Sequence, residues 1–115
     1  MGKLLKIAAL IAAVAPGAAL AQQWGAVCIG PGGAWGYAHN YQSEAGAYDR
    51  AMAESRYGCD EVRTFYNTCG AMAVATNGGW GWSLGNSRAQ AEAGAMNYCR
   101  QYGGGCRVTV WACSG

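Results

Sequence analysis

One stretch, Asn77-Gly78-Gly79-Trp80-Gly81-Trp82-Ser83-Leu84-Gly85-Asn86-Ser87, constrains the fold more than any other part of the 115-residue chain. Asn-Gly-Gly supplies the positive φ angles of a tight hairpin turn. Trp80, Trp82 and Leu84 then alternate with Gly81, Ser83 and Gly85, the period of a strand with one bulky and one nearly bare face. Ser87, with Gln90 three residues on, forms a capping box that opens a helix. Gly32-Gly33-Ala34-Trp35-Gly36-Tyr37-Ala38, followed by Ser43, is a weaker copy of the same turn, strand and helix start. The chain is built twice on one plan.

The rest of the sequence fills in that plan. Trp24 to Ile29 reads as a strand, with Trp24, Ala26 and Cys28 on one face and Val27 and Ile29 on the other. Gly30-Pro31-Gly32-Gly33 is a turn by composition, and Trp35 to His39 is the returning strand. Ser43 caps a helix from Glu44 to Tyr57, with Tyr48, Ala51, Met52 and Ser55 on one face and Gly58 at its end. Val62 to Asn67 is a strand, and Thr68-Cys69-Gly70 closes the first unit. The second unit runs through strands Met72–Thr76 and Trp80–Leu84, a helix from Arg88 to Tyr102 stopped by Gly103-Gly104-Gly105, and a strand from Arg107 to Ala112.

Two ββαβ units, 24–70 and 71–115, predict an α+β domain. It has about six short, mostly antiparallel strands and two Ala-rich helices, on one sheet or on two half-sheets. Ala45, Ala47, Ala51 and Ala53, and Ala89, Ala91, Ala93 and Ala95, let a helix approach closely, so large partners are expected from the strands. The expectation is that Trp35, Tyr37, Trp80 and Trp82 form core beneath the helices, with the glycine face bare.

The N-terminus has a secretory leader's anatomy: Lys3 and Lys6, an apolar run from Ile7 to Val14, and Ala19-Leu20-Ala21 as a cleavage site. The apolar run is too short to span a bilayer, and Pro16-Gly17 interrupts it. Residues 1–21 are therefore expected to be removed, leaving a single small domain from 22 to 115 that is periplasmic or secreted and not membrane-bound. Both lysines leave with the leader, and the remaining arginines and acids balance. A neutral chain without a basic block argues against nucleic acid as a partner.

Six cysteines in an exported small domain read as three disulfides. Metal-site spacing is missing, with one histidine and no C-x-x-C pair, so no metal or other cofactor is expected. Fifteen connectivities exist for six cysteines. The repeat favours a short Cys99–Cys106 bridge and a Cys69–Cys113 bridge between matching ends of the two units, leaving Cys28 with Cys59. In the loop-entropy account the short bridge contributes roughly 2.5 kcal/mol and each longer one about 4.

Trp24-Gly25-Ala26, Ala34-Trp35-Gly36-Tyr37, Cys69-Gly70-Ala71, Gly78-Gly79-Trp80-Gly81-Trp82, Ser87-Arg88-Ala89 and Gly104-Gly105-Cys106-Arg107-Val108 together resemble the bacterial exported family catalogued as domain of unknown function 4189. The resemblance spans essentially all of 22–115. The Gly-Gly-Trp-Gly-Trp block and the Cys-Gly-Ala junction are its most specific parts. It implies export and a disulfide-braced fold, and supplies no catalytic residues to carry over. The chain departs from relatives in having Cys28 where they carry a small or aliphatic residue. It also has Ser55-Arg56 where they carry a cysteine.

No catalytic constellation stands out. His39 could join Ser43 and Asp49 in a hydrolytic triad or work with a nearby carboxylate, and Asp49, Glu54, Asp60 and Glu61 could supply a carboxylate pair, but no nucleophile elbow is present. Gly103-Gly104-Gly105 follows a helix instead of preceding one, the wrong polarity for a phosphate site. Five Trp and seven Tyr are the functional lead. Most are assigned to core, while Tyr41, Tyr57, Tyr66 and Tyr102, near element ends, are expected at the surface as binding aromatics for a protein or glycan. The reading is an exported, non-catalytic interaction module. The alternatives are a small hydrolase using His39, or an inhibitor or immunity-type protein acting on an envelope hydrolase. Mass spectrometry of the exported protein should find Gln22 at the N-terminus; an exported chain that still begins at Met1 would contradict the leader assignment.

Overall fold

The computed structural model describes residues 22–115, and the expected leader lies outside them. In chain order the elements are β1 (Trp24–Ile29), β2 (Trp35–Tyr41), α1 (Glu44–Glu54), β3 (Glu61–Tyr66), β4 (Cys69–Val74), β5 (Trp80–Gly85), α2 (Arg88–Cys99) and β6 (Arg107–Cys113). They form two three-stranded antiparallel sheets, β2-β1-β3 and β5-β4-β6. Each sheet takes one ββαβ unit and places that unit's first strand in the middle. Trp24-Gly25-Ala26-Val27 and Cys69-Gly70-Ala71-Met72 open the two central strands in the same way.

Three packed clusters give the layer order. Ala47 and Ala51 of α1 lie on Ala26, Cys28 and Ala38. Ala91, Ala95 and Cys99 of α2 lie on Cys69, Ala71, Ala73 and Ala75. Between the sheets, Val27, Ile29 and Phe65 meet Met72, Val110 and Ala112. The domain is therefore helix, sheet, sheet, helix, with Phe65, Met72, Val27, Ile29 and Val110 in the middle layer.

This corrects the expected placement of the Trp face. The helices sit on the small-residue faces of the sheets, and the glycine face is covered. A Cβ on Gly81 would overlap the α2 backbone at Ala95 and Cys99, and one on Gly36 would overlap the Ala51 carbonyl of α1. An Ala-rich helix seated on glycine brings backbone against backbone, which leaves no room there for an indole. Trp80 and Trp82 point the other way and pack on the inter-sheet cluster.

Element ends differ from the sequence reading in instructive ways. Helix α1 stops at Glu54 because Ser55 turns extended (φ −79°, ψ 129°), and its hydroxyl donates to the Gly58 carbonyl at 2.6 Å. The buried face of α1 is Ala47 and Ala51, and Tyr48 is exposed. Strand β4 begins at Cys69, three residues before the expected Met72, so Cys69 opens the second sheet's central strand. It stands directly opposite Cys113 on β6. The three bridges are Cys28–Cys59, Cys69–Cys113 and Cys99–Cys106. Cys69–Cys113 thus crosses two neighbouring strands of one sheet and does not join the two units. Ser43 and Ser87 cap α1 and α2, accepting from the Gly46 and Gln90 amides. The Gln90 side chain reaches back to the Asn86 amide at 2.9 Å.

Phe65, the chain's one phenylalanine, clasps the two sheets. Cβ atoms on Gly25 of β1 or Gly70 of β4 would both overlap its ring. Its counterpart in the second unit is Ala112: Phe65 pairs with Gly25 as Ala112 pairs with Gly70. One ring therefore fills the space of both positions. Phe65→Ala should cost about 3–5 kcal/mol, as fully buried aromatic truncations do. A denaturation curve unmoved by this change would contradict the clasp.

Candidate functional site

The fold leaves no tryptophan fully buried. The largest fully buried side chains are Met72, Val27, Cys28 and Cys99. The expectation that most aromatic residues are core is therefore corrected. The space between the sheets is filled by Val27, Ile29 and Met72 of the central strands with Phe65 and Val110 of their neighbours. The aromatic residues of β2 and β5, both edge strands, end at the rims of that layer.

The two rims are not finished alike. On β5, the Arg63 guanidinium of β3 lies 5.1 Å from the Trp80 ring and 5.6 Å from the Trp82 ring, a paired cation–π cover. The residue corresponding to Arg63 on β6 is Val110, since Arg63 stands opposite Val27 as Val110 stands opposite Met72. Valine cannot reach out over an aromatic rim, so the β2 rim stays open.

On that open rim, Trp35, Tyr37 and His39 form a ladder along one face of β2. Trp35 and Tyr37 are stacked at 6.2 Å with 23° between planes, and Tyr37 and His39 at 6.2 Å with 24°. Alternation on a strand produces the row: Gly36 and Ala38 turn to α1, and the three rings turn away. Trp35 is 47% exposed. Across from the ladder, Thr109, Val110 and Trp111 of β6 complete a groove of about 490 Å³. Trp111 alternates with Val110 and Ala112 and turns to the α2 side of its sheet, where Arg88 lies over it at 4.2 Å. Among the described residues, neither a carboxylate nor an arginine lines the groove.

The aromatic residues singled out from sequence are scattered. Tyr57, Tyr66 and Tyr102 are exposed, while Tyr41 is half-buried against the α1 layer, contrary to expectation. Tyr66 packs edge-on against Trp24 at 5.2 Å, and Tyr102 lies far along the chain beside β5. The four do not form one surface. The ladder residues Trp35 and Tyr37 were assigned to core, although the i, i+2, i+4 run Trp35, Tyr37, His39 marks a strand with a continuous aromatic face.

Of the acids weighed for a hydrolytic role, Glu54 lines a small pocket together with His39, Tyr37, Tyr41 and Arg50. Ser43 Oγ accepts the Gly46 amide as helix cap. His39 Nδ1 faces the Asn40 side-chain amide at 3.4 Å. Among the described residues no ion pair includes His39, and Glu54 and Glu61 pair with Arg50 and Arg63. No group of three or more His, Cys, Asp or Glu side chains among the described residues is placed to hold a metal ion. No helix among them is long and apolar enough to cross a membrane.

Comparison with known proteins agrees with this architecture. The model of the family described as Domain of unknown function (DUF4189) matches residues 24–113, and the chain belongs to that family. The NMR structure of Rv1813c from Mycobacterium tuberculosis is similar, with 30% identity and a TM-score of 0.61 over 80% of this chain and 75% of that one. No curated protein matches.

Proposed function

We propose that this DUF4189 protein is an exported, non-catalytic binding module, and that its ligand surface is the open ladder of Trp35, Tyr37 and His39. The carrying observation is the unequal finish of two corresponding rims: Arg63 lies over the rings of β5, and among the described residues no cation lies over those of β2. Three near-parallel rings in a row present a flat, weakly polar strip. Aromatic faces of this kind take the C–H faces of sugar rings, with hydroxyl and N–H groups at the edges for hydrogen bonds. The uncharged lining favours a neutral ligand, and the row favours a repeating one. A neutral oligosaccharide chain meets both conditions. Export rests on the leader read in the sequence and is supported by the three disulfides, which persist in oxidising compartments.

The test is titration of the oxidised mature protein with soluble cello- and chito-oligosaccharides, followed by tryptophan fluorescence. Binding should shift the emission and strengthen with oligosaccharide length up to the reach of the ladder. Trp35→Ala should weaken it by at least about 30-fold, the loss expected of an aromatic hot spot near 2 kcal/mol. Its melting temperature should stay close to that of the parent, because half the ring is already in solvent. Unchanged affinity in a folded Trp35→Ala protein would remove the ladder from the site.

A further inference from the structure

A sheet edge is a row of unpaired backbone donors and acceptors, and edge strands are normally blunted by charge, proline, bulges or a covering segment. Three of the four edges in this domain are blunted. On β2, Asn40 takes a left-handed φ of 59° at a register shift, and the chain's last residues cover it. The Asn40 amide donates to Ser114 Oγ at 2.8 Å, and Gly115 donates to Asn40 Oδ1 at 3.1 Å. On β3, Arg63 folds back to donate to the Val62 carbonyl and pairs with Glu61. On β6, the register slips at Thr109, and Arg107 stands at the strand's start.

Strand β5 has none of these devices. It runs Trp80-Gly81-Trp82-Ser83-Leu84-Gly85 in unbroken register with β4, without a charge, a proline or a bulge. The Ala75 amide donates to the Gly79 carbonyl at 2.7 Å, a pair that continues the β4–β5 register. Bonded and non-bonded pairs alternate along an antiparallel ladder. Gly81, Ser83 and Gly85 therefore bond to β4, and the amides and carbonyls of Trp80, Trp82 and Leu84 point away from the sheet. Among the described residues only the Leu84 carbonyl has a hydrogen-bond partner, the Ser83 hydroxyl at 3.3 Å.

We infer that this edge pairs with the same edge of a second copy, joining two β5-β4-β6 sheets into one six-stranded sheet about a two-fold axis at Trp82. Backbone groups in a row call for an extended polypeptide, and β5 is the segment whose pattern fits its own surroundings. An antiparallel pairing centred on Trp82 sets Trp82 against Trp82, Trp80 against Leu84 and Gly81 against Ser83. Bulky residues then meet bulky ones on the inter-sheet face, and small ones meet small ones on the face that carries α2. That second match is needed because Tyr98 of α2 and Tyr102, just beyond the helix, already wall the groove beside β5. A partner strand with large residues on both faces would strike them. No charge on the strand opposes its own copy, and an isologous contact of this kind closes at the dimer.

Two measurements on the oxidised mature protein test the pairing. Sedimentation equilibrium should give a concentration-dependent dimer. Hydrogen exchange should show the Trp80, Trp82 and Leu84 amides slowing as concentration rises, while the Tyr37 amide on β2 does not change. Leu84→Lys puts a charge on the edge, and Leu84→Pro removes an outward amide without touching the bonds to β4. Both should be monomers with parent-like melting curves. A monomer at every soluble concentration would overturn the proposal. So would a dimer that leaves those three amides in fast exchange, a reading that needs no variant to fold. A folded Leu84→Lys protein that still dimerises would also overturn it.

Discussion

The close approach of each helix to a strand glycine, α1 over Gly36 and α2 over Gly81, governs the rest of the structure. Helix backbone and strand backbone touch there, and any side chain on the glycine would separate them. Alanine on the helix and alanine or cysteine on the central strands follow from the same shortage of space. Such layers bury little apolar area per residue, so the hydrophobic contribution must come from the layer between the sheets. That layer has Phe65, Met72, Val27, Ile29 and Val110, and it is thin, as expected for a domain of this size. Three disulfides supplement it, each acting mainly by restricting the unfolded chain.

The same constraint sends the aromatic residues outward. With the helix faces closed to them and the middle layer already filled, the rings of β2 and β5 can lie only along the rims. Duplication then gives the domain two rims of common origin, which can be finished differently. Arginine at position 63 lies over the tryptophans of one, and valine at position 110 leaves the other without such a cover. The bound state proposed for the ladder and the pairing proposed for β5 occupy different strands and different sheets. A dimer through β5 would leave both ladders accessible.

Much of this was legible in the sequence, and the limits have physical causes. Strand, turn and helix order could be read because Asn77-Gly78-Gly79, Ser43 and Ser87 are local signals whose geometry depends on neighbours alone. The direction of each strand's faces was visible in β1, where Val27 and Ile29 oppose Ala26 and Cys28. What could not be read was which face met a helix. Periodicity separates a bulky face from a small one but does not say what covers either. The alanine content of the helices was read as calling for large partners, which put the tryptophans beneath them. The structure shows the opposite rule, small residues on one surface meeting small residues on the other. The strand beginning at Cys69 was missed because Cys69-Gly70 was read as a terminator; its likeness to Trp24-Gly25 shows that it is a start. The ladder was hidden by the same face assignment, although Trp35, Tyr37 and His39 are two residues apart in sequence.

The central claim is the layer order, with helices on the glycine faces and the sheets back to back around Phe65. Nuclear Overhauser contacts in the oxidised mature protein test it directly. The account predicts cross-peaks from the Phe65 ring to the α-protons of both Gly25 and Gly70, and from the Gly81 α-protons to α2 at Ala95 and Cys99. Cross-peaks from the Trp82 indole to the Ala91 and Ala95 methyl groups, with no contact between Phe65 and Gly70, would contradict it.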